Sequence, residues 1–197
     1  MSSFELTSRL PLIKKSNFSE SLITPKLSLR LNPSDMKDYS SHARKINVNN
    51  IFANNRLGIS DTLESGRSLT LGIDYKKENL DDINRYFEFS LATSIRDKEE
   101  KNIPTTSTLN RKNSNLFGSM TNNLSKNLSL NYNFAIDNDF NTFDYNSIGA
   151  QLSVNNFITE FNFIEENGEM GDANIIENKF AYILDKKNKL SFKTRRN

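Results

Sequence analysis

Hydrophobic and polar residues alternate through long stretches of this chain, without a break over residues 67–76. There Leu69, Leu71, Ile73 and Tyr75 share one parity, and Ser68, Thr70, Gly72 and Asp74 share the other. Period two is the signature of a β-strand, whose successive side chains point to opposite faces. Residues 128–137 repeat it, with Leu128, Leu130, Tyr132, Phe134 and Ile136 opposing Ser129, Asn131, Asn133, Ala135 and Asp137. Residues 21–31, 87–95, 114–121, 157–165 and 176–184 read as further strands, and a last one begins at Leu190. Residues 140–154 change phase between Phe143/Tyr145 and Ile148/Ala150/Leu152/Val154, which predicts a β-bulge near Asn146 or Ser147. Pro25 has no N–H to give a ladder, which predicts a bulge or a strand start there. Residues 1–20 predict no clear element.

The connections sort by length. Those from residue 32 to 66, from 97 to 113 and from 166 to 173 are long, whereas those after Lys76, Thr121, Val154 and Asp185 are short. Short turns at one end and long loops at the other are what an outer-membrane barrel requires, the short ones being periplasmic and the long ones extracellular. The Asn138-Asp139 turn is an exception, short at the long-loop end. The expectation is an all-β antiparallel meander, part of an outer-membrane β-barrel. Residues 97–113, charged and aperiodic, read as a long exposed loop, and residues 49–65 as an extracellular or lumen-entering loop. A soluble sheet packed against a second layer would give the same alternation.

One stretch carries more than a pattern. Asn50-Ile51-Phe52, Asn55-Arg56-Leu57, then Asp61, Leu63, Glu64 and Gly66 resemble the Asn-Leu-Phe … Asn-Arg-Phe … Asp-Arg-Val-Glu-Gly-Gly segment of the LPS-assembly outer-membrane family LptD, the organic solvent tolerance family. From Asn55 to Gly66 the match needs no gap. The chain departs from it at Gly58, Ile59, Ser60 and Thr62. The spacing of Pro25 and Pro33, the Ser94/Arg96 pair and the Ser114-to-Thr121 run are compatible with neighbouring family segments.

The resemblance implies that residues 1–197 belong to one C-terminal barrel domain, with the family's N-terminal jelly-roll and remaining strands absent. Eight or nine strands are too few for that large barrel, and the N-terminus lacks the basic start and apolar core of an export signal, so an N-terminally incomplete chain is expected. The implied function is an outer-membrane translocon that assembles lipopolysaccharide into the outer leaflet. Its implied partners are lipopolysaccharide, outer-membrane lipid, an LptE-like lipoprotein plug and the periplasmic Lpt bridge. The family-motif loop is carried by Asn55, Arg56, Asp61, Glu64 and Gly66. Ser68, Thr70, Asp74, Ser129, Asn131 and Asn133 would face the lumen, while Leu69, Leu71, Ile73, Tyr75, Leu128, Leu130, Tyr132 and Phe134 would face lipid.

Composition narrows the remaining classes. Hydrophobic residues make up 36%, low for a compact core, and 14 Phe and 6 Tyr with no Trp stand largely on the apolar parities. With 26 Lys+Arg against 24 Asp+Glu, the balance gives no nucleic-acid footprint. Without cysteine there is no disulfide framework or thiol nucleophile. His42 is a lone histidine in a polar segment, and the acidic run 78–82 lacks the spacing of a calcium loop. Neither a phosphate-binding glycine pattern nor a nucleophile elbow occurs, so no enzyme and no cofactor is expected. A porin-like outer-membrane channel, or a soluble extracellular β-sheet protein with an adhesive or structural role, remains as the alternative.

Overall fold

The computed structural model describes residues 3–197, and among them eleven strands form one antiparallel sheet in meander order. They are β1 (Phe4–Arg9), β2 (Leu12–Lys15), β3 (Ser19–Asn32), β4 (Gly66–Asn79), β5 (Tyr86–Arg96), β6 (Leu116–Ser125), β7 (Leu128–Ile136), β8 (Phe143–Val154), β9 (Phe157–Glu166), β10 (Ala173–Ile183) and β11 (Lys189–Arg196). Each alternating run is thus a strand. The first, unexpected strand lies in residues 1–20, where the alternation is too weak to read.

β1 and β2 are one strand with a gap in its ladder. Arg9 faces Lys26 and Leu12 faces Ile23, so a single register runs through Leu10 and Pro11. Leu10 donates to the Pro25 carbonyl at 3.1 Å, and Pro25 has no N–H to return. Pro25 therefore sits in mid-strand on β3, not at a bulge or a strand start, because its ring nitrogen points at one neighbour only and the β3–β4 ladder stays intact.

The bulge on β8 is at Asp144, where Ala135 pairs Tyr145 but Ile136 pairs Phe143. Only Phe143 is thereby moved to the apolar face, where its ring meets Phe134 edge-on at 6.2 Å. Tyr145 stays on the opposite face because it packs against the core. Asp144 is buried there and accepts from Asn115 Nδ2 at 2.7 Å.

The two faces of the sheet are unlike. Leu71, Ile73, Leu130, Ile148, Phe161 and Phe180 stand exposed on one of them. Over the other fold the loops 33–65 and 97–115, joined by Met170 from a short 3₁₀ turn, Gly168–Met170. The hydrophobic core lies between loops and sheet, and Ile46, Ile51, Leu57, Ile103 and Leu109 fill it from the loop side. Loop 97–115 is therefore a packed layer and not an exposed loop. Its Ile103 and Leu109 are 0% exposed, two apolar residues that a charged, aperiodic run does not advertise. The supposedly polar segment 32–50 likewise buries Met36, Ile46 and Val48.

Candidate functional site

The site is the inner face of the sheet and the loop held against it. Hydrogen-bonded strands place residues in cross-strand rows, and three rows matter. Gly72, Ala92, Phe117, Ala135 and Tyr145 pair successively across β4 to β8 and form an apolar seat under the loops. On the long-loop side of that seat lie Ser68, Thr70 and Ser94, all buried. On the short-turn side runs a fully polar row, Asp74, Ser90, Ser119, Asn133 and Ser147. A further polar row passes through Lys76, Glu88, Thr121 and Asn131.

Loop 49–65 docks on this wall through a cluster centred on Arg56. Arg56 is 1% exposed, and its five N–H donors all have partners. Nε and Nη2 grip Glu64 with two bonds of 2.6 Å. Nη1 donates to Thr70 Oγ1 at 2.8 Å and Ser94 Oγ at 3.1 Å, and Nη2 also donates to Ser68 Oγ at 3.0 Å. Glu64 in turn accepts from Arg96 Nη1, and Arg96 donates to the Ser65 carbonyl through Nη2. Arg30 completes the cluster: its Nη1 lies 4.0 Å from Glu64, and its Nη2 donates to Glu5 at 3.0 Å and to the Ala53 carbonyl at 2.8 Å. Burial alone would raise the Glu64 carboxyl, but Arg56, with Arg96 and Arg30 behind it, holds it below the usual carboxylate range.

The rest of the motif shapes the loop around this clamp. Asn55 Oδ1 accepts from the Gly58 and Ile59 amides, and its Nδ2 donates to the Ile59 carbonyl at 2.7 Å. That closes a turn whose Gly58 has φ of +71°. Asp61 is exposed at the rim, where it accepts from Lys37 Nζ at 2.6 Å and from the Tyr39 hydroxyl. Those bonds, Lys37 first, lower its pKa. Gly66, at φ +81°, starts β4, and a Cβ there would come within 3.0 Å of the Arg96 guanidinium.

The lumen set therefore divides. Ser68 and Thr70 lie under the loop and bind Arg56, whereas Asp74, Ser129, Asn131 and Asn133 lie on the same face beyond the clamp. Leu69, Leu71, Ile73, Tyr75, Leu128, Leu130, Tyr132 and Phe134 share the opposite face. Tyr132 donates there to Asn146 Oδ1 at 2.7 Å. His42 is exposed, its ring edge-on to Tyr39 at 4.8 Å. Sequence reasoning missed Arg30 and Glu5 as clamp residues. Arg30 stands on the polar parity of its strand, and a large cation among hydroxyls was the available signal.

Comparison with known proteins agrees with the motif. A family model described as LptD, LPS transport system D, matches residues 1–175. Among curated proteins none matches. The matched stretch takes in the clamp loop, both polar rows and the strands through β9, ending just inside β10. Its extent and the motif within it make the chain a member of the LptD family, a component of an LPS transport system.

Proposed function

We propose that this chain is part of the C-terminal barrel of an outer-membrane translocon that delivers lipopolysaccharide to the outer leaflet. The carrying observation is the two-sided wall. One face exposes an apolar surface from β3 to β11 with no second layer over it among the described residues, and a patch of that extent calls for lipid or protein. The other face is polar, uncovered on its open rows, and covered near one end by its own loops. In this reading the apolar face meets lipid in the outer membrane, with long loops extracellular and short turns periplasmic. The polar rows give the sugar headgroup a surface along which to pass, and no bond is made or broken. By family membership an LptE-like lipoprotein and the periplasmic Lpt bridge are the partners, and the wall belongs to a larger barrel preceded by a jelly-roll.

The test uses the intact protein in its host. Membrane fractionation is expected to place it in the outer membrane, soluble only with detergent. A photo-crosslinking side chain at Asn131 is expected to capture lipopolysaccharide. Recovery without detergent would favour a soluble sheet, and outer-membrane residence with no capture would favour a porin-like channel.

A further inference from the structure

Under the clamp loop, on the side of the short turns, lies a cavity of about 390 Å³. Its roof is Val48 and Asn49, Phe52 stands at its side, and its floor is the polar rows of β3, β4 and β5. Phe52 stands edge-on over Gly72, where an added Cβ would come within 2.8 Å of the ring. Lys26 Nζ lies 4.8 Å from the ring centroid and pairs with Asp74 at 2.7 Å. Lys76 bridges Glu78 at 2.6 Å and Glu88 at 3.1 Å. Arg9 also lines the cavity and, among the described residues, has no carboxylate within 4 Å.

Three features constrain the occupant. An aromatic ring beside paired charges suits a sugar, whose C–H face packs on the ring while its hydroxyls exchange hydrogen bonds with carboxylates, ammonium groups and the Ser90 hydroxyl. The one uncommitted cation is a guanidinium, whose fork matches phosphate oxygens. The floor is too rich in charge for an acyl chain. We propose that this cavity is a binding subsite for a phosphorylated sugar headgroup, with Phe52 as its side wall and Arg9 as its phosphate contact. The inference rests on the translocon reading and adds to it a stopping place directly below the loop that covers the lumen.

The experiment keeps the two ideas apart. A photo-crosslinking residue is placed in the intact protein in its native membrane, either at Leu22, which lines the cavity, or at Asn131 on the open wall, and endogenous lipopolysaccharide is the probe. Capture is expected at both positions. Arg9→Ala is expected to lower capture at Leu22 about 10-fold, the scale of one charge-assisted contact, with Asn131 unchanged and Arg9→Lys retaining most of the signal. Heat-modifiable migration of each variant shows that its barrel has folded. With purified protein, dephosphorylated lipopolysaccharide is expected to show the same loss at Leu22. Capture at Asn131 without capture at Leu22 overturns the subsite and leaves the translocon reading standing. So does capture at Leu22 that ignores both Arg9→Ala and dephosphorylation. Capture at neither position removes both.

Discussion

Glu64 is the residue on which the loop's attachment turns. It balances Arg56 and Arg96, both buried, and it touches Arg30. Removing one partner of a buried ion pair leaves an uncompensated charge, at a cost of about 3–5 kcal/mol. Glu64→Gln is thus expected to lower the urea midpoint of the detergent-solubilised protein and to make residues 49–65 open to protease. Arg56→Lys is expected to do much the same despite keeping the charge, because an ammonium has three donors where the site offers five acceptors. The pH dependence follows from the depressed carboxyl. A carboxylate titrating below its unfolded value of about 4.3 contributes fully above that pH and loses its contribution only as the pH falls through the lower, folded value. Loop 49–65 should therefore stay protected from hydrogen exchange at pH 5 and above and be released only in acid below the ordinary carboxylate range. Release between pH 6 and 7 would count against Glu64 as the anchor. At the rim, Asp61 is held low by Lys37 and Tyr39, so its clamp survives the same mild acid.

At the scale of elements, the first strand and the bulge show where pattern ends and packing begins. Pro25→Ala supplies an N–H aimed at the Leu10 carbonyl, and that new amide is expected to exchange slowly, with a net gain of about 0.5–1.5 kcal/mol in the β1–β3 pairing. Fast exchange there would mean that the pairing is loose for reasons other than the missing donor. Alternation made β3 to β10 legible because each of these strands has one wet and one apolar face. It could not place the β8 bulge, since both placements keep the apolar residues of 148–154 outward, and only the pull of the loop core on Tyr145 and of Asn115 on Asp144 decides between them. The motif loop was legible as a loop and by resemblance. Its partners were not, because Arg30, Ser68, Thr70 and Ser94 come from three strands whose register no single sequence displays. Gly72, read on the polar parity, proves to be a gap that accepts Phe52. Gly72→Ala is expected to cost about 1–3 kcal/mol as an overpacked site and to displace Phe52, read out as a lower thermal midpoint.

Over the whole molecule, the core belongs to the loops and not to a second sheet. The apolar face of the sheet contributes nothing to it, and the sheet's inner face gives it only the seat of Gly72, Ala92, Phe117, Ala135 and Tyr145. Ile103→Ala and Leu109→Ala, in a segment that reads as exposed, are each expected to cost about 2–5 kcal/mol, against less than about 0.5 kcal/mol for a solvated loop position. Hydrogen exchange should then rise in loops 33–65 and 97–115 together, since they share that core, while the β8–β10 ladder keeps its protection. A rise confined to 97–115 would show that the two loops are independent layers.

The hydroxyl row beneath Arg56 gives this cover a seam. Ser68, Thr70 and Ser94 bond equally well to a guanidinium or to water, so lifting the loop there exposes a surface that wets at once. Elsewhere the cover shares one buried cluster with Ala92 and Phe117, a seat that water does not reward. Lifting the β4–β5 side would still part Arg96 and Arg30 from Glu64, so the ion cluster holds the cover where its floor wets readily. The cover is thus fastened by charge along its wettable row and by packing over its apolar seat.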